Sequence, residues 1–228
     1  NSNGNVEDYR AFVEKAHENG CKVAVDADIL SLALLVPPGE WGADIVYGST
    51  QRMGIPMFYG GPSAAYFATR DELKRNMPGR IIGLSKDKYG KIAYRMALQT
   101  REQHIKREKA TSNICTAQAL LATMAGFYAV YHGQEGIKNI AKRIHSYANY
   151  LNKALTKLGY VQLNELYFDT LKFALPEHVT PQKLRTIALS KEVNLRYYET
   201  GEVGISVDEA MDLKKLNVLV SIFSIAAE

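Results

Sequence analysis

Only two cysteines, Cys21 and Cys115, occur in the 228 residues. They form no CxxC pair and stand at no zinc-like spacing to histidine, so the chain carries neither a disulfide framework nor a zinc-finger pattern. Two isolated thiols in a chain of this size suggest a reducing compartment and buried side chains. No apolar run approaches the ~20 residues that span a bilayer, and no secretory signal is visible. The sequence does not open with methionine, so it is expected to be processed or cut from a longer chain. Charge of one sign is scarce too: 28 basic against 24 acidic residues leave a formal +4. The lysines and arginines are spread along the chain, which argues against a nucleic-acid surface. The densest basic stretch, residues 106–109 (KREK), is interrupted by Glu108 and reads first as a solvated face or ion-pair cluster. No Walker loop, GxGxxG, zinc spacing or Ser/His/Asp order appears, and no internal repeat or low-complexity tract.

What is present is the composition of an ordinary globular protein, with 46% hydrophobic and 23% charged residues. The length suits one large domain or two small ones. Tyr9, Phe12, Val13 and Ala16 predict a helix over 6–19, stopped by Gly20. Residues 22–26 (KVAVD) read as a short buried strand ending in an acid, and a short helix over 29–35 stops at Pro37-Pro38. Buried strands follow at 44–47 and 64–68. This rhythm predicts a parallel sheet covered by helices, with ligands at the carboxyl ends of the strands. A hairpin is predicted over 82–96 around Tyr89-Gly90. Helices are predicted over 115–131 and 135–158, broken at Gly133 and ended by Gly159. Strands at 161–165, 170–175, 194–198 and 203–206 then alternate with helices at 181–190 and 211–224. The expected division is a large domain over 1–133 and a linking helix with a small α+β domain over 134–228.

Four places could carry chemistry. Asp26 ends a strand and could point a carboxylate into a ligand crevice, or cap the segment that starts near Asp28. The turn 48–52 (GSTQR), with Gly54, Gly60 and Gly61 behind it, could bind an anion, although a structural turn needs no ligand. His104, in the polar cluster 100–104 (TREQH), could move protons or be a solvated residue. Residues 110–113 (ATSN) precede a helix and could cap it or offer its N-terminus to a phosphate. From these alone the sequence names no reaction.

Longer stretches carry a resemblance. The segments VPPGEWGAD (36–44), YGSTQRMGIP (47–56), YGGPSAA (59–65), MPGR (77–80), ALQTREQHI (97–105), KATSNICTAQAL (109–120), FDTL (168–171) and GISVDE (204–209) are similar to the P-protein family of the glycine cleavage system. The likeness covers essentially the whole chain, and the run 98–120 is its most specific part. It implies a type I pyridoxal-phosphate fold: the rear part of the large parallel-sheet domain plus a smaller α+β domain. The family decarboxylates glycine and passes the aminomethyl group to the lipoyl arm of the H-protein. Its cofactor supplies an electron sink, while the protein supplies a lysine for the imine and an acid for the ring nitrogen.

That family has two homologous halves, fused or separate, and only the carboxyl-terminal half carries the lysine. At the matching position this chain has Gln51, between Thr50 and Arg52. A primary amide forms no Schiff base, so the chain resembles the amino-terminal half and is expected to be inactive alone. Asp26 matches the acid of the ring nitrogen. A complete half is roughly twice as long, and the missing front would hold the segment that cups the cofactor phosphate. Thr111, with Arg101 and His104, resembles a loop that serves the other half's phosphate site in trans, and Tyr59 with its paired glycines is expected at the same interface. The implied partners are the lysine-bearing half and the lipoylated H-protein, with no nucleic acid and no membrane, and a homodimer for the isolated fragment. The implied location is cytoplasmic in a bacterium and the mitochondrial matrix in a eukaryote. Two other readings stay open. One is a non-catalytic interaction domain; the other is a different type I enzyme, such as a cysteine desulfurase or aminotransferase, against which Gln51 speaks.

Overall fold

The computed structural model describes residues 2–77, 79, 81–98, 103–110 and 118–228. The chain divides into two compact units, one of Phe12–Ile29 and Val36–Tyr131, the other of Asn1–Ala11, Leu30–Leu35 and His132–Glu228. The break at Tyr131–His132 falls beside Gly133, whose φ of 61° and ψ of −179° interrupt the long helix α3 (Ala119–Lys157). Glycine tolerates this conformation without a Cβ penalty. The first residues differ from the sequence division, which counted them with the large domain. Asn164 donates from Nδ2 to the carbonyl of Asn3 at 2.7 Å and to Oδ1 of Asn5 at 3.0 Å. The Val6 amide donates to the Leu166 carbonyl at 2.9 Å. These bonds strap the N-terminal segment to the C-terminal unit.

Helix α1 (Arg10–Glu18) starts four residues later than its apolar spacing predicts. The Asp8 carboxylate accepts from the Arg10 amide at 3.1 Å and fixes the start there. Of the four residues that suggested the helix, Val13 is buried and Phe12 is exposed. Cys21 follows in the closing turn and is exposed rather than buried, because the turn returns the Cys21 amide to the Ala16 carbonyl with the side chain outside. Cys115 lies outside the described residues.

The first unit carries a three-stranded sheet of β1 (Ala24–Asp26), β2 (Ile45–Ser49) and β3 (Ala65–Thr69). β1 and β2 are parallel, as expected, but β3 runs antiparallel to β2. Residues 50–64 contain no helix, and a parallel return needs a crossover of about a dozen residues or more, usually helical. The helix expected over 29–35 is only a 3-10 turn, Ser31–Ala33. Proline at 37 and 38 leaves no room to lengthen it. A second sheet is the predicted hairpin, β4 (Ile82–Lys86) with β5 (Ile92–Met96). Asp87 builds its turn: Oδ1 accepts from the amides of Tyr89 and Lys91, at 2.8 and 2.9 Å. Gly90 takes the left-handed conformation that such three-residue loops require, with φ 81°. Helix α2 (Gln103–Lys106) precedes α3.

The second unit has a sheet of β6 (Val161–Gln162), β7 (Thr170–Ala174), β8 (Arg196–Tyr197) and β9 (Val203–Ser206), in the order β6-β7-β9-β8 and antiparallel throughout. Helices α4 (Pro181–Ser190) and α5 (Leu213–Ala227) are capped by Thr180 and Asp212, which accept from the amides of Lys183 and Lys215 at 3.1 and 2.8 Å. Of the apolar stripe on α3, Ile140, Ala141, Ile144, Ala148, Leu151 and Leu155 are buried, and Ile137 at its start is half-buried. Buried with it are Leu171 and Phe173 of the sheet and Leu216, Ile222 and Phe223 of α5.

Candidate functional site at the carboxyl ends of the parallel strands

Two parallel strands end side by side, with Asp26 in register with Tyr47. Asp26 is exposed at the end of β1, and β2 runs on for two residues to Ser49. The chain crosses closely just past this row. The Ala27 amide donates to the Tyr47 carbonyl at 2.9 Å, and a Cβ on Gly48 would lie 2.2 Å from the Ala27 oxygen. Only glycine fits there. From β3, the Tyr66 hydroxyl donates to that same Ala27 oxygen at 2.8 Å. Burial, then the nearby charges of Asp26 and Asp28, push the Tyr66 phenol up to about 12, so it stays a neutral donor.

The turn after β2 is tightly wound. Its amides at Gln51, Met53 and Ile55 donate to Ser49 Oγ, the Thr50 carbonyl and the Gln51 carbonyl, at 3.1, 2.8 and 3.1 Å. Met53 and Ile55 are buried beneath it, and the side chain of Gln51 is outside. Arg52 Nε meets Asp28 Oδ2 at 2.8 Å, and both side chains are about one-third exposed or less, 28% and 33%. This ion pair ties the loop after β2 to the loop after β1. Thr50 Oγ1 is buried and has no hydrogen-bond partner among the described residues.

The structure therefore gathers Asp26, Gln51 and Arg52 at one sheet end. The capping reading of Asp26 falls away: the 3-10 turn beyond it is preceded by Leu30, which has no capping side chain. Asp28 was read only as the start of a helix, and its pairing with Arg52 escaped the sequence because opposite charges 24 positions apart give no local signal. Tyr66 was missed for the same reason. Tyr59 is fully exposed with φ 55°, and Phe58 beside it has φ 47°. Both values are uncommon for residues with a Cβ. Arg101 and Thr111 lie outside the described residues, and of His104 only its place in α2 is described.

A separate polar hub anchors the other end of this sheet. The buried carboxylate of Asp44 accepts from the Val23 amide at 2.9 Å and meets His17 Nε2 at 2.8 Å, Lys22 Nζ at 3.4 Å and Arg70 Nε at 3.8 Å. Burial alone would raise its pKa, but the Val23 amide, His17 and Lys22 outweigh it and hold the carboxyl at about 2. The hub is structural: it clamps β1, β2 and the exit of β3 together.

The same architecture recurs in a cysteine desulfurase from Thermococcus onnurineus NA1, with a TM-score of 0.61 over 97% of this chain and 56% of that one at 15% identity. The sheets and helices together are those of the type I pyridoxal-phosphate-dependent enzyme fold. Within that class the chain belongs to the glycine cleavage system P-protein family, whose sequence profile matches residues 1–223. The glycine dehydrogenase (decarboxylating) of Bacteroides thetaiotaomicron is 78% identical over 227 residues, all of this chain but 24% of that protein. A crystal structure of glycine decarboxylase (P-protein) in inhibitor-bound form superposes with a TM-score of 0.89 at 31% identity, covering 99% of this chain and 53% of that one. The chain thus spans about a quarter of the length of its curated relatives. At this strand end Gln51 offers no amine, and Arg52 is engaged with Asp28.

Proposed function

We propose that this chain is part of a glycine-decarboxylating P-protein. It belongs to the half without the cofactor-linking lysine, and it completes and supports the site of the lysine-bearing half. The whole enzyme would release CO2 from glycine and hand the aminomethyl group to the lipoylated H-protein. The observation that carries the reading is Gln51, which stands where the strand-end turn would offer a lysine. A carboxamide is no nucleophile toward an aldehyde, and Arg52 beside it is paired with Asp28. In the whole enzyme Asp26 keeps its strand-end position without its ring-nitrogen task. Thr111, Arg101 and His104 would serve the partner half's phosphate, with Tyr59 at the same interface. A bacterial host would carry the enzyme in its cytoplasm.

Adding pyridoxal phosphate to the 228-residue chain and reducing with borohydride tests the assignment. The expected result is no stoichiometric pyridoxyl label on any single lysine. A full label on one lysine of this chain would show a covalent cofactor site of its own and defeat the reading. For the contribution in trans, Thr111→Val in the full-length enzyme should weaken cofactor retention.

A further inference from the structure

Among the described residues, the β4–β5 hairpin shows its apolar side to solvent. Register places Ile82 opposite Met96, Leu84 opposite Tyr94 and Lys86 opposite Ile92, and side chains in such pairs share a face. Leu84, Ile92 and Tyr94 are 72%, 77% and 79% exposed, and Ile82 and Met96 are exposed beside them. Glycine, serine and alanine fill most of the opposite face, where Gly83 pairs Arg95 and Ser85 pairs Ala93. The alternation is therefore that of a strand pair with one face meant for burial, and that face is bare. The two strands pair only with each other, in a sheet separate from β1–β3. A lone two-stranded hairpin is marginal in water, and five aligned apolar side chains mark an interaction surface.

We infer that this face docks against the lysine-bearing half of the P-protein, so that the hairpin is an arm by which one half grips the other. The inference rests on the function proposed above. Three observations select the occupant. First, this chain makes up about a quarter of its curated relatives and about half of the solved P-protein chain. The solved chain is therefore about half as long as those relatives, and the enzyme's polypeptide divides into two such lengths that must meet. Second, the hairpin adds nothing to the sheet of its own unit, as an element that covers its own core would. Third, Lys86 lies on the apolar face and Lys88 and Lys91 lie in the turn at its end, with Asp87 the one acid of the hairpin sequence, so the matching surface is an apolar patch with an acidic rim. A second copy of the same hairpin would bring like charges together.

The test uses the full-length P-protein with a benzophenone-bearing residue in place of Tyr94. Irradiation followed by peptide mapping is expected to join position 94 to the lysine-bearing half. Joining to the preceding part of its own half, joining to a second copy of the hairpin, or no joining at all would each overturn the inference. As a second measurement, Leu84→Glu with Tyr94→Glu should weaken retention of pyridoxal phosphate on the order of 100-fold, the effect of removing two central interface anchors. Unchanged retention would count against the arm. The borohydride experiment involves no residue of the hairpin, so the lysine-less assignment and the arm can fail independently.

Discussion

Phe223 and Tyr94 are both large aromatic residues, yet Phe223 is fully buried on α5 and Tyr94 stands 79% exposed on β5. The contrast runs through their whole units. In the unit containing α5, buried side chains are contributed by the long helix, the four-stranded sheet and both capped helices. The Tyr160 ring meets the Phe223 ring edge-on at 5.0 Å, and its hydroxyl donates to the Phe223 carbonyl at 2.9 Å. In the unit of the candidate site, burial is confined to small groups, such as Ile55, Ala64 and Leu121. Tyr47, Met57, Tyr59, Phe67, Leu84, Tyr94, Phe127 and Tyr131 all face outward. The α5 unit buries its large side chains on the long helix, the sheet and α5, while the unit of the candidate site leaves most of its large aromatic residues exposed. That division matches a segment that is about a quarter of its relatives.

The largest test of the contrast is in the closed core. Phe223→Ala should destabilise its unit by about 3–5 kcal/mol, because the cavity adds to the lost transfer energy. Urea unfolding followed by the far-UV signal reads this directly, and a loss below about 1 kcal/mol would mean the core is looser than its burial implies. Next comes Asp44, a buried charge of the open unit. Asp44→Ala removes a carboxylate that faces His17, Lys22 and Arg70, and breaking such a pair costs about 3 kcal/mol. The pH sense follows from a carboxyl held at about 2 against its ordinary 3.8. Its contribution is complete above pH 3.8 and is lost as pH falls through about 2. Acid unfolding in that window should therefore strike the open unit, and Asp44→Ala should reduce the acid dependence there. A variant that keeps the wild-type acid midpoint would assign it to other groups.

Legibility followed the same contrast. In the closed unit the helix over 135–158 and the strand at 170–175 were plain, since each is decided largely within its own element. The hairpin and its Tyr89-Gly90 turn were also plain, because turn chemistry is local. Where the sequence misled, long-range partners decided. The antiparallel sense of β3 depended on a helix-free connection, and the helix expected over 29–35 gave way to a 3-10 turn before two prolines. At the candidate site the resemblance pointed to Gln51 and Asp26, but Asp28–Arg52 and Tyr66–Ala27 are contacts across the sheet end with no sequence period. Cys21 was expected inside and is outside, since the turn after α1 decides its direction.

A smaller effect is expected at the strand-end turn. Arg52→Ala removes a partly exposed ion pair, and such pairs contribute up to about 1 kcal/mol. Global stability should barely change. Hydrogen exchange at the Met53 and Ile55 amides should quicken, since the pair ties their turn to the loop after β1. Unchanged exchange would show the turn to be held by its own backbone bonds alone.

The smallest effect is the most discriminating. Leu84 is 72% exposed, so Leu84→Ala in the 228-residue chain should alter stability by no more than about 0.5 kcal/mol, as for other surface substitutions. The same substitution in the full-length enzyme should cost about 2 kcal/mol or more, because a leucine at the centre of a packed interface loses its contacts and leaves a cavity. Matched thermal unfolding of the two proteins, each with and without the substitution, isolates the difference. A small loss in both would leave the hairpin face bare in the enzyme as well. A large loss in the isolated chain would show that the side chain already packs within it, and the contrast between a closed and an open unit would fail at that element.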